Sequence, residues 1–105
     1  MSTDPSIASS IDAIPAIAVG DGCIRRDLPT SQAARWWVVE FAPGATWPHV
    51  DEHPDGEDYV VLEGEVIEGD RRFGAGSVVS FSPGSRHRPR SETGARLLGF
   101  NVVAA

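Results

Sequence analysis

Short runs of β-branched and aromatic residues alternate along the chain with clusters of glycine, proline and aspartate, a pattern that predicts an all-β domain. Candidate strands cover Ile14 to Val19, Arg35 to Phe41, Asp58 to Leu62, Glu65 to Glu68, Ser77 to Phe81 and Ala95 to Val103. Between them, Pro43-Gly44, Pro54-Asp55-Gly56, Glu63-Gly64, Gly69-Asp70, Gly74-Ala75-Gly76 and Pro83-Gly84 supply the fixed or permissive φ that tight reversals need. No helix of more than a few turns fits between these stops. Neither a repeat of fixed period nor a low-complexity linker divides the chain. The spacing predicts an antiparallel sandwich or barrel. Residues 1–13, rich in Ser, Ala and Asp without a period, are expected to form a flexible N-terminal arm, and residues 14–105 a single domain.

Length narrows this picture: 105 residues are enough for one hydrophobic core and too few for two. Fifteen acidic residues against nine basic ones give a formal charge of −6. That balance argues against nucleic acid or an anionic membrane surface as partner and leaves a small molecule or a protein. The lone cysteine, Cys23, cannot form an internal disulfide. It follows the turn-like Gly20-Asp21-Gly22 and is expected to pack as a small hydrophobe. With no leader-like segment or long apolar span, a cytoplasmic location is the expectation.

Candidate chemistry is concentrated in one stretch. Between Gly44 and Gly64 lie His49, Asp51, His53 and Glu57, and His87 follows some thirty residues later, so all three histidines of the chain fall in this constellation. On an extended strand, positions 49, 51 and 53 share a face. Mixed imidazole nitrogen and carboxylate oxygen donors suit one divalent transition metal, Fe, Mn, Ni, Zn or Cu, better than magnesium or calcium.

The run Gly44, four residues, His49, then Asp51-Glu52-His53, three residues, Glu57, six residues, Gly64 resembles the first motif of the cupin superfamily. Gly76, six residues, Pro83-Gly84, two residues and His87 resemble its second motif, with Ser91 where the family often has asparagine. His53-Pro54-Asp55-Gly56-Glu57, Val61-Leu62-Glu63-Gly64-Glu65 and Pro83-Gly84-Ser85-Arg86-His87-Arg88-Pro89 are most similar to the ChrR-like cupins. The resemblance covers residues 35 to 103 and implies a small antiparallel β-barrel or jelly roll, the cupin double-stranded β-helix. It also implies a mononuclear metal centre that binds or acts on a small molecule, with oxygenase, isomerase or lyase chemistry. The alternative is a non-catalytic metal- or ligand-sensing module that dimerises. The ChrR-like anti-sigma factors carry a helical zinc domain ahead of the barrel. No His-x-x-x-Cys-x-x-Cys run occurs here, which points to a stand-alone cupin.

One position departs from the family pattern. With His53 and Glu57 aligned, Asp51 stands where the first motif histidine belongs. Two donor sets are open: His49, His53, Glu57 and His87, or Asp51, His53, Glu57 and His87. Variable spacing after the motif glycine favours His49, and a shift or bulge near Pro48 would bring it into place.

Around this site, Tyr59 and Asp51 are the candidates for proton transfer. Trp47, Phe41, Phe81 and Phe100 are the candidate pocket wall. Adjacent Trp36 and Trp37 must point to opposite faces of their strand, so one is core and the other marks a homodimer interface. Arg86, Arg88 and Arg90 alternate around His87 and are expected to form an exposed stripe paired with an acidic rim of Glu52, Asp55, Asp58 and Glu63.

Overall fold

A computed structural model describes residues 5–103, whose regular structure is antiparallel strand apart from one 3₁₀ turn. In chain order they are β1 (Ile17–Gly20), β2 (Cys23–Asp27), β3 (Ala34–Phe41), β4 (Asp51–His53), β5 (Glu57–Glu68), β6 (Arg71–Gly74), β7 (Val78–Phe81), β8 (Ser85–His87) and β9 (Ala95–Val102). Seven strands make one sheet in the order β1-β2-β3-β9-β5-β6, with β7 paired to β5; β4 and β8 form a separate two-stranded ribbon. The ladders do not close into a continuous barrel, so the expected jelly roll is present in an open form. Among the described residues no helix is long and apolar enough to cross a membrane.

The inner face follows the two-residue period of the strands. Val39 and Phe41 of β3, Leu97 of β9 and Tyr59 and Val61 of β5 are buried together with Cys23, Trp47 and Val66. Cys23 is wholly buried at the start of β2, opposite Phe41, and its thiol packs in the core as expected. Val61 and Val66 are 1% and 0% exposed, each contributing about 1.5–3 kcal/mol by burial.

The observed strands depart from the predicted ones in several places: the first begins only at Ile17, and the short β4 and β8 were not foreseen. The segments Asp58 to Leu62 and Glu65 to Glu68 are one twelve-residue strand, because Glu63-Gly64 is a bulge instead of a turn. Against β9, Val61 pairs with Leu97 but Glu63 pairs with Arg96, which leaves Leu62 as the extra residue. Strands β2 and β6 were hidden by their charged residues, Arg25-Arg26-Asp27 and Arg71-Arg72, whose side chains lie on exposed or half-buried faces. Of the expected arm, residues 1–4 lie outside the described residues. Ile11–Ala13 form a 3₁₀ turn tied to the sheet by Arg26, which donates to Ile14 O, and by the Arg96–Asp12 ion pair.

Candidate metal centre

The ribbon β4–β8 places one side of the site. Asp51 is directly opposite His87 and His53 opposite Ser85, so Asp51, His53 and His87 share the ribbon's inward face. Glu52 and Arg86, paired on the other face, form an exposed salt bridge at 3.2 Å. The turn after His53 is made by Pro54-Asp55-Gly56. Gly56 sits at φ +80°, where a β-carbon would also lie 2.7 Å from Phe81 O. Gly56 N donates to His53 O at 3.1 Å, and Gly84 N donates to the same carbonyl at 2.8 Å. The two turns that deliver Glu57 and His87 are therefore fastened to one backbone atom of His53.

Three donor atoms converge. His53 Nε2 is 2.7 Å from His87 Nε2, and Glu57 Oε2 is 3.2 Å from the first and 3.4 Å from the second. All three side chains are about nine-tenths buried. Donor atoms of Asp51, His53 and His87 lie within 4.8 Å of one another, a grouping able to hold a metal ion. His49 stands farther out: its exposed ring meets Asp51 Oδ1 at 3.0 Å.

Sequence reasoning missed Glu68. Its carboxylate accepts from His87 Nδ1 at 2.9 Å and from the Tyr59 hydroxyl at 2.8 Å. A proton held on His87 Nδ1 by Glu68 leaves Nε2 as the free donor atom toward Glu57 and His53, the usual way a carboxylate orients a ligating imidazole. Phe81 packs on the His87 ring at 4.3 Å between centroids and closes the back of the site.

The two imidazole nitrogens at 2.7 Å cannot both present lone pairs to each other without a cation or proton between them. Burial alone would depress the His87 pKa, but hydrogen bonds to Glu57 and Glu68 and their charges outweigh it and raise the pKa to about 9. Without a metal ion, a proton on His87 relieves this contact. Because the folded value exceeds the ordinary 6.5, its stabilisation is full below pH 6.5 and lost as pH rises through about 9. Thermal midpoints measured in chelator from pH 6 to 10 are expected to fall across that window. His87→Gln flattens the fall. For Tyr59, burial first, then the Glu68 charge and hydrogen bond, push the hydroxyl pKa upward, so the proton stays on Tyr59 and is donated to the Glu68 carboxylate.

A cavity of about 830 Å³ opens beside the cluster. Phe41, Trp47 and Tyr59 line it, as do His49, Asp51, His53, Glu57 and His87. Phe81 stands behind the histidines, outside the lining, and Phe100 is on the outer face of β9, 41% exposed. The position of Phe100 follows from strand alternation, since Leu97, Gly99 and Asn101 take the inner face of β9. The expected arginine stripe is broken up because β8 ends at His87: Arg86 binds Glu52, Arg88 donates to Trp47 O at 2.8 Å and Arg90 meets Glu92.

The sequence profile of the ChrR cupin-like domain matches residues 5–102. The chain belongs to that family. No curated protein matches it by sequence. Among solved structures it is similar to the anti-sigma ChrR in complex with SigE from Rhodobacter sphaeroides (23% identity, TM-score 0.78), covering 88% of this chain and 51% of that one. This ChrR-like cupin thus spans about half the length of that relative. It is also similar to an RmlC-like cupin from Shewanella frigidimarina, at 23% identity and TM-score 0.78, covering 91% of this chain and 89% of that one. A putative acetylacetone dioxygenase from Methylibium petroleiphilum superposes with TM-score 0.79 at 11% identity, covering 97% and 80% of the two chains. At these identities the likenesses bear on fold.

Proposed function

We propose that this ChrR-like cupin holds one divalent transition metal on His53, Glu57, His87 and Asp51 and binds a small oxygen-bearing molecule beside it. The observation that carries the reading is the convergence of two imidazole Nε2 atoms and a carboxylate oxygen within 3.4 Å at the wall of a roomy cavity. The donor set fits such an ion. Two nitrogens and two carboxylates are borderline-to-hard ligands, and Glu68 fixes the tautomer that metal binding needs. A bound ion would supply Lewis acidity toward a ligand oxygen. This chain's own residues exclude water with Phe81 and orient His87 through Glu68.

Asp51 takes the fourth position in this reading, and His49 supports it through the 3.0 Å contact. Metal retention after dialysis distinguishes the two. Asp51→Ala is expected to lose the ion about tenfold more readily than His49→Ala, an outer partner. The reverse order moves His49 into the donor set.

The non-catalytic alternative keeps the same site and adds self-association. Trp36 and Phe100, neighbours on the outer face, are 38% and 41% exposed, and Val78 is 76% exposed. Such a face favours a second copy of the chain as partner, and a solution molar mass of one chain counts against it.

A further inference from the structure

The register of three strands sets an uncommitted polar pair beside the donor cluster. Arg35 of β3 is the direct partner of Asn101 of β9. The β5–β9 register, Tyr59 with Gly99 and Asp58 with Phe100, carries on to Glu57 beside Asn101. Glu57, Asn101 and Arg35 therefore form one row across the inner face. Two strand spacings separate its ends, about 10 Å.

All three residues line the cavity. Asn101 carries a buried side-chain oxygen with no hydrogen-bond partner, an arrangement that is destabilising unless something donates to it. Arg35 has no ion pair or hydrogen bond from its side chain among the described residues. The other lining cation near it, Arg25, is taken up by Asp27 at 2.9 Å. Directly inward from the row, Trp37, Val39 and Leu97 give an apolar wall.

Resting on the metal reading above, we propose that the cavity takes a small hydroxylated organic acid with a flat apolar body. Its carboxylate pairs with the Arg35 guanidinium, whose planar donors match two oxygens. Its hydroxyl donates to Asn101 Oδ1 from the side nearest Glu57 and the histidines, and its body lies on Trp37, Val39 and Leu97. Of the two arginines that line the cavity, Arg25 is paired with Asp27, so the exposed Arg35 is the one open to a ligand carboxylate.

Mandelate, methyl mandelate and phenylacetate test each part, titrated calorimetrically into cobalt(II)-loaded wild-type protein and R35Q after cobalt stoichiometry has been measured. Mandelate is expected to bind, the ester and the deoxy acid each roughly tenfold or more weakly, as when a charged or buried hydrogen bond is lost. R35Q is expected to lose mandelate affinity by a similar factor while its cobalt content and its affinity for the ester stay as in wild type. Equal affinity of mandelate and its ester, or of mandelate for both proteins, overturns the proposal. So does cobalt-loaded protein that does not bind mandelate. Wild-type protein that takes up no cobalt counts instead against the metal centre itself, and the two failures are read on separate measurements.

Discussion

Replacing His53 by alanine is expected to abolish stoichiometric metal binding. His53 supplies one of the two imidazole nitrogens, and it stands within 3.2 Å of Glu57 Oε2 and 2.7 Å of His87 Nε2. Its loss removes one of the two converging imidazoles, and the remaining histidine, His49, has its ring outside the cluster against Asp51. Glu68→Gln provides the graded comparison. The amide still fills the space, but it cannot act as an ionised acceptor for His87 Nδ1 and Tyr59, so metal affinity is expected to fall about 10–100-fold without vanishing. Metal content by elemental analysis, with far-UV circular dichroism to confirm folding, measures both. His53→Ala that retains one ion per chain contradicts the assignment.

Gly64→Ala is expected to be the most destabilising small substitution. Gly64 has φ +73°, and a β-carbon there would collide with the Gly94 carbonyl and the Ala95 backbone of β9. Backbone on both sides leaves no side chain to move away, so the left-handed strain and the clash both remain. A cost of at least about 2 kcal/mol follows, which lowers the thermal midpoint by roughly 10 °C in a chain of this size. The consequence reaches the site. The bulge at Leu62 switches which residues of β5 face inward, so Tyr59 and Glu68, of opposite parity, meet in one hydrogen bond. A variant that folds is therefore expected to bind metal more weakly as well. A thermal midpoint within a degree or two of wild type contradicts this account of Gly64.

That bulge also explains why the sequence yielded some of the site and withheld the rest. Strict alternation from Tyr59 and Val61 sends Glu68 to the outer face. Only the one-residue slip, invisible without β9 alongside, turns it toward His87. His53, Glu57 and His87 were legible because spacing and flanking turns delivered them, and the turns do meet at His53 O. The choice between His49 and Asp51 was not legible. It depends on how β4 registers with β8, and three residues with no apolar member carry no periodic signal for that pairing. Phe100 was misplaced among the pocket candidates for a different reason: aromatic character says a side chain seeks cover, but parity along β9 decides which face it takes. The large sheet was readable wherever one face is apolar, and β2 and β6 escaped because arginines interrupt theirs.

Anomalous diffraction from crystals of metal-replete protein, recorded on both sides of the metal edge, tests most directly whether a mononuclear metal sits between the ribbon and β5. The expected result is one anomalous peak per chain bonded to His53 Nε2, His87 Nε2 and carboxylate oxygens of Glu57 and Asp51, with Glu68 still on His87 Nδ1. No peak at these residues, or one centred on His49 with His53 turned away, contradicts it.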